Sequence, residues 1–292
     1  MIDIRNKSWY KALGFGIAFI LALVALAAYY NHLQNSVRVE TVDLNSSLLG
    51  KRVPYNVLLP PGYGSITKRR LRYPVLYLLH GWNAHFDSWL RETALAKYAE
   101  EHRLIIVMPE GDNGWYTDSA TVTQDQNETY IKRELIPDVD RRFRTVADRS
   151  GRAVAGDSMG GYGALKLGLK HPEMFSFVAS MSGALDVTAR TDNTSIMQIF
   201  GEPNSSTRQA NDVTRLTRDF PPDRQSLLPY FYLDCGTEDP WLEVNREFAG
   251  VLSQRRIAHE YREPQGGHYW SYWDSQIRQV LRVAETQMSH PR

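Results

Sequence analysis

Cysteine is almost missing from this chain, with one residue in 292, Cys235. A single thiol cannot close an internal disulfide, nor can it build a zinc site on several cysteines. Net charge is nearly absent too, since 34 lysines and arginines stand against 33 aspartates and glutamates. That balance lacks the basic field a nucleic-acid binder needs. No internal repeat or low-complexity tract interrupts the chain, and no group of His, Asp or Glu has metal-ligand spacing. The sequence therefore calls for no metal and no cofactor. Apolar residues at 42% and charged residues at 23% are values of a globular protein, which excludes a disordered or collagen-like chain.

What the chain does have is one long uncharged run. Ala12 to Ala28 reads ALGFGIAFILALVALAA, preceded by Arg5, Lys7 and Lys11. Positive charge ahead of an apolar run keeps the N-terminus in the cytoplasm and sends the downstream chain across the membrane. One reading is a cleaved signal peptide with Ala25-Leu26-Ala27 as its processing site. The other is an uncleaved transmembrane anchor with Tyr29 and Tyr30 at the interface. The run is long for a signal peptide and short for a span, and its length favours the anchor. A helix of the protein core would show a polar face, and this run shows none. Residues 1–30 are thus expected to be a signal anchor or signal peptide. Residues 31–292 are then one exported domain, periplasmic or extracytoplasmic, tethered to the membrane if the helix is uncleaved.

The rest alternates strands with helices. Val37–Leu44 and Arg52–Leu59 are rich in β-branched residues. Tyr73–Leu79, Leu104–Met108, Ala153–Ala155, Phe177–Met181 and Tyr230–Leu233 are short apolar runs of the kind buried on both faces of a parallel sheet, and Ala258–Arg262 is a further expected strand. Helices are expected over Trp89–Glu101, Glu128–Phe143, Gly161–Lys170, Leu242–Arg256 and Tyr272–Met288. This order predicts a three-layer α/β fold with a mostly parallel sheet and a site outside the carboxyl ends of its strands. Ser182–Leu228 breaks the alternation. It is polar and turn-rich, and reads as an excursion over the strand ends that forms a lid or a pocket wall.

Residues 156–160 read Gly-Asp-Ser-Met-Gly. The G-x-S-x-G pattern alone is weak, but here a strand precedes it and a helix comes after it, which is the context of a nucleophile elbow. Ser158 is the candidate nucleophile. A serine hydroxyl needs a base, expected late in the chain after an acid. His268 fits, in a glycine-rich loop between a strand and the last helix. The acid is sought after the strand Tyr230–Leu233. Asp239 lies far enough into the loop to reach an imidazole, with Glu238 and Asp234 as weaker candidates. Its role would be to fix the imidazole tautomer and stabilise the imidazolium. Two backbone N–H groups should form an oxyanion hole, one from Met159 and one from Trp82 in the loop after the third strand. Trp82, Trp89, Trp115, Tyr116, Trp241 and Trp270 gather around the expected site loops, where ordinary packing accounts for most of them and the others could stack on an aryl group or a sugar. Cys235 reads as a buried strand-end residue.

The blocks Tyr77-Leu78-Leu79-His80-Gly81, Gly156-Asp157-Ser158-Met159-Gly160-Gly161, Asp234-Cys235-Gly236-Thr237-Glu238-Asp239 and Gly267-His268-Tyr269-Trp270 together resemble the esterase D-type family of α/β-hydrolases. Feruloyl and acetyl xylan esterases, tributyrin esterases, S-formylglutathione hydrolases and mycolyltransferases belong to it. The likeness runs from about Val37 to Gln287. It implies the α/β-hydrolase fold, a triad of Ser158, Asp239 and His268, and hole donors Met159 and Trp82. Trp115-Tyr116-Thr117-Asp118-Ser119 resembles a family block that lines the acyl pocket, so Trp115 and Tyr116 are expected substrate contacts, with Trp270 of the aromatic group as a third. The implied activity is hydrolysis of a short-chain or aryl carboxylic ester, from a small-molecule or carbohydrate-linked substrate, through an acyl-serine. An acyltransferase would use the same residues with an alcohol in place of water, and a siderophore-lactone esterase would suit the exported location. S-formylglutathione hydrolases are typically cytosolic, and the N-terminal segment sets this chain apart from them.

Overall fold

The computed structural model describes residues 7–291. Eight strands form one sheet: β1 (Arg38–Ser46), β2 (Lys51–Leu59), β3 (Val75–Leu79), β4 (Ile105–Pro109), β5 (Arg152–Asp157), β6 (Phe177–Met181), β7 (Tyr230–Asp234) and β8 (His259–Arg262). Their spatial order is β1-β2-β4-β3-β5-β6-β7-β8. The two N-terminal strands pair antiparallel with each other, and β2 pairs antiparallel with β4. Every other pairing is parallel.

Alternate side chains of these strands enter two separate cores, because successive residues of a strand face opposite sides. Val75, Tyr77, Val107, Val154, Val178 and Phe231 pack on one side with the helices Met159–Lys170 and Leu242–Gln254. Leu76, Leu78, Ile106, Ala155, Phe177 and Tyr232 pack on the other, with Ile277, Val280 and Leu281 of the helix Trp270–Gln287. Sheet and two helical layers give the expected three-layer arrangement, with β3 and β5 through β8 ending side by side. The loops that leave those ends carry Trp82, Ser158, Asp239 and His268.

Two expected helices are broken, each for a local reason. The segment expected as Trp89–Glu101 divides into Ser88–Glu92 and Leu95–Tyr98. The Thr93 hydroxyl donates to the Trp89 carbonyl, and the Ala94 N–H donates instead to Asp274, 2.7 Å away. A side chain that competes for backbone partners in this way ends a helix. The stretch expected as Glu128–Phe143 contains a π turn over Ile131–Leu135. Pro137 comes just after it and has no N–H to return to the preceding turn.

Ser182–Leu228 is a folded wall. It contains the helices Thr194–Phe200, Ser206–Asn211 and Val213–Asp219, and Ile196, Ile199, Phe200 and Val213 enter the first core. The buried Arg208 guanidinium ties it together, donating to the carbonyls of Thr188, Arg190 and Gly201.

Lys7–Asn35 forms one helix. Arg5 lies outside the described residues, as do the side chains of Lys7, Lys11, Ala27 and Tyr30. Phe15, Phe19 and Leu26 are exposed. Among the described residues, no helix is long and apolar enough to cross a membrane. The expected membrane span therefore gains no support from the structure.

Candidate active site

Ser158 follows β5 directly and caps the start of the helix Met159–Lys170, with φ 51° and ψ −115°. A non-glycine residue holds such a backbone only where its surroundings fix it. Here the Ser158 N–H donates to Met181 O at 2.9 Å, and its carbonyl accepts from Tyr162 N at 3.0 Å. The elbow also demands two glycines. A Cβ on Gly160 would lie 2.5 Å from Leu79 O, and one on Gly156 would lie 2.5 Å from the Gly160 carbonyl carbon.

His268 arrives from the loop after β8. Its Nε2 lies 2.9 Å from Ser158 Oγ, and its Nδ1 lies 3.0 Å from Asp239 Oδ2. The acid and histidine loops are joined by Thr237 N–H to Pro264 O and Glu238 N–H to Gly266 O. Gly236 permits that contact, because a Cβ there would meet Gly266 O at 2.2 Å. The His268 ring stands edge-on to Trp273, 4.9 Å between centroids. Burial acts to raise the Asp239 carboxyl. Hydrogen bonds from His268 and from Trp241 N–H outweigh it and hold the group below the ordinary carboxylate range. Of the three acids considered from sequence, only Asp239 meets the imidazole. Glu238 points to solvent. Asp234 is fully buried under the Tyr272 hydroxyl, and burial pushes it up to about 8.

The chain around Met159 and Trp82 is suited to bind an anion. Met159 is the first helical residue after Ser158, and the first N–H groups of a helix have no partner within it. The Gly81–Trp82 peptide is held from its carbonyl side, where Gly81 O accepts from His80 Nδ1 at 2.8 Å and from Ala84 N at 3.2 Å. A carbonyl only accepts, so His80 Nδ1 carries a proton. A trans peptide points its N–H opposite its C=O, and the Trp82 N–H is thereby aimed away from the His80 ring. Burial acts to raise the carboxyl of Glu110 beside His80, but His80 and the Asp112 and Phe86 N–H groups bring it down to about 2. Asp157 lies against the Gly81 backbone, fully buried, without a well-formed hydrogen bond to either carboxyl oxygen. Burial pushes it up to about 8, against a weaker pull from its own N–H and that of Gly81.

Two cavities meet at Ser158, Trp82 and His268. The smaller, about 260 Å³, is walled by Trp115, Trp241, Ala184 and Ile196, and is also lined by Arg190, Asp192 and Asn193. The larger, about 630 Å³, is lined by Tyr269, Trp270 and Trp273 together with Asn83, Arg91 and Glu92. Trp115 and Trp270 thus lie where substrate contacts are expected, one in each cavity. Tyr116 does not. It is 0% exposed and lines neither cavity, and its hydroxyl donates to His80 O at 2.9 Å. Trp89 is also buried, edge-on to Trp270. Sequence reasoning did not single out Ile196, Ala184 or Arg190. Ile196, Ile199 and Phe200 do show helical spacing, a signal masked by the polar residues around them. Arg190 gives no local signal. Among the described residues, no group of His, Cys, Asp and Glu could hold a metal ion.

Comparison with known proteins places this architecture. Residues 46–283 match the family described as "Putative esterase". An acetyl esterase of Caldicellulosiruptor saccharolyticus is 28% identical over 69% of this chain and 79% of its own length. Esterase Rv1288 of Mycobacterium tuberculosis is 32% identical over 80% of this chain, a match that spans 56% of that protein. A solved ferulic acid esterase superposes with a TM-score of 0.77 at 28% identity, covering 87% of this chain and all of the other. The fold is that of the α/β-hydrolases. A family match that runs from the end of β1 into the last helix makes this chain a member of that esterase family, a serine hydrolase acting on carboxylic esters.

Proposed function

We propose that the protein is a carboxylesterase that passes its acyl group through Ser158. The observation that supports it best is the chain of contacts from Ser158 Oγ to His268 Nε2, 2.9 Å, and from His268 Nδ1 to Asp239 Oδ2, 3.0 Å. His268 takes the hydroxyl proton as Oγ attacks the ester carbonyl carbon. The oxyanion is received by the Met159 and Trp82 N–H groups. As the tetrahedral centre collapses, the ester C–O bond breaks and His268 gives the proton to the leaving alcohol. Water then attacks the acyl-serine by the same route in reverse, and Ser158 regains its proton. Asp239 holds the imidazole in one tautomer and stabilises its positive form.

The acyl group occupies the smaller, aromatic-walled cavity, whose size suits a short-chain or aryl acyl group. The acetyl esterase and ferulic acid esterase among the similar proteins bracket that range. The alcohol occupies the larger cavity, where Trp270 and Tyr269 offer stacking faces and Asn83, Arg91 and Glu92 offer polar ones. That mixture suits a carbohydrate-linked alcohol.

The test is a series of p-nitrophenyl esters from acetate to decanoate, with a feruloyl ester, run beside Ser158→Ala. Loss of about 10⁴-fold or more in kcat supports Ser158 as nucleophile, and equal turnover by both proteins refutes it. Transfer of the acyl group to an added alcohol in preference to water would make the enzyme an acyltransferase. Export is part of the same proposal, resting on Arg5, Lys7 and Lys11 ahead of an uncharged run. Fractionation decides it, and recovery in the cytosol refutes it. Recovery in the membrane pellet marks an uncleaved tether, and recovery in the soluble extracytoplasmic fraction marks a removed leader.

A further inference from the structure

Trp115 and Tyr116 both stand in the left-handed region, at φ 53° and 51°. Two consecutive bulky residues in that region persist only where the surroundings over-determine them. What fixes them is a buried cation. Lys166, 0% exposed, sits on the helix that begins at Ser158, two turns further along. Its ammonium donates to Tyr116 O at 2.5 Å and to Thr117 Oγ1 at 2.7 Å, and Glu128 balances its charge at 3.0 Å. The Thr117 hydroxyl donates in turn to Trp115 O at 2.8 Å. The Tyr116 ring is clasped by backbone, since a Cβ at Gly111 or Gly163 would lie 2.4 or 2.5 Å from it.

The turn has two outputs. Trp115 forms a wall of the smaller cavity and lies 5.6 Å from Trp82 between ring centroids. Tyr116 donates its hydroxyl to His80 O. The next carbonyl along, Gly81 O, is the one held by the His80 ring. Tyr116 and His80 therefore pin the two consecutive peptides that lead to the Trp82 N–H. We propose that the Tyr116 phenol is a positioning residue for the oxyanion hole, with Lys166 as the anchor that holds the strained turn in place. The device joins the wall of the acyl pocket to the oxyanion donor, and both are tied through Lys166 to the helix that carries the nucleophile. This rests on the proposal that Ser158 is acylated and Trp82 N–H receives the oxyanion.

The test compares Tyr116→Phe with wild type, with Ser158→Ala and with Tyr55→Phe, in the full chain. Tyr55 is buried in β2 and donates to the Asp138 carboxyl at 2.7 Å, so Tyr55→Phe loses a stronger buried tyrosine hydrogen bond elsewhere in the fold. Tyr116→Phe is expected to lower kcat by about tenfold to a hundredfold with KM within about twofold of wild type, a share of what one oxyanion donor contributes. Affinity for a trifluoromethyl ketone that mimics the tetrahedral intermediate should fall by the same factor. Its thermal midpoint should fall no further than that of Tyr55→Phe, whose kcat stays at the wild-type level. Lys166→Met made together with Glu128→Gln, which removes both charges of the buried pair and keeps an amide oxygen for Lys170 and His171, should reproduce the loss. If that pair does not fold, Tyr116→Phe decides alone. Retention of half or more of wild-type kcat by Tyr116→Phe overturns the proposal. So does a rise in KM at unchanged kcat, which would place the phenol in ground-state binding. A fully active Ser158→Ala would instead refute Ser158 as the acylated residue.

Discussion

Replacing Asp157 by asparagine should change how the protein's stability depends on pH. Asp157 is fully buried and neither of its carboxyl oxygens makes a well-formed hydrogen bond. Burial pushes its pKa from 3.8 up to about 8. An acid shifted upward keeps its proton in the fold after the unfolded chain has released it. The stability this confers is complete below about pH 4 and is lost as pH rises toward 8. Between those limits each pH unit weakens the folding equilibrium by about tenfold, so the step from pH 5 to pH 7 costs about 3 kcal/mol through this one group. Asparagine has the same shape and does not titrate. Its own packing shifts the whole curve up or down but leaves no slope. Asp234 is raised in the same way and contributes equally to both proteins, so it cancels in the difference. Urea denaturation midpoints at half-unit steps between pH 5 and 8 measure the difference. The asparagine variant should gain on wild type steadily across that window. Parallel curves for the two proteins would refute the reasoning, because they would mean that Asp157 is ionised in the fold or solvated in it.

Asp239→Asn keeps the shape of the side chain but cannot stabilise the imidazolium, and kcat should fall by about 10⁴-fold with little change in thermal midpoint. Gly160→Ala drives a methyl to 2.5 Å from Leu79 O, between two backbones that cannot both give way. It should abolish activity and lower the thermal midpoint by several degrees in a melting scan. Ile196→Ala enlarges the smaller cavity. The preferred p-nitrophenyl ester should become longer by about two carbons, each CH₂ being worth about 0.8 kcal/mol when buried, and an unchanged chain-length profile would remove the acyl group from that cavity. Cys235 is fully buried and burial raises its thiol well above the usual range. The native protein should resist iodoacetamide at neutral pH and react only when unfolded, as mass spectrometry would show.

Local pattern carried much of this protein. β6 spans the residues expected of it, Phe177–Met181, and β2 and β7 differ from expectation by a single residue at one end. Such runs are legible because strands buried on both faces are continuously apolar and bounded by turn residues. The helix breaks at Thr93 and Ile131–Leu135 were not legible. One depends on Asp274, brought from 180 residues away, and the other on how a proline is absorbed by the turn before it.

The sequence by itself determined the family and the sheet of mostly parallel strands, and it put Ser158 forward as the candidate nucleophile, because a strand, a glycine-flanked turn and a helix must succeed one another in the chain to build an elbow. Only the tertiary structure shows which of Asp234, Glu238 and Asp239 lies beside the imidazole, since all three lie within six residues of one another and only the distance to His268, 29 residues after Asp239, tells them apart. It also moved Tyr116 from the substrate to the scaffold. A tyrosine in a pocket-lining block looks the same in sequence whether its ring faces the ligand or the backbone behind it. That choice is made by Lys166 and by glycines at 111 and 163, which no local pattern connects to it.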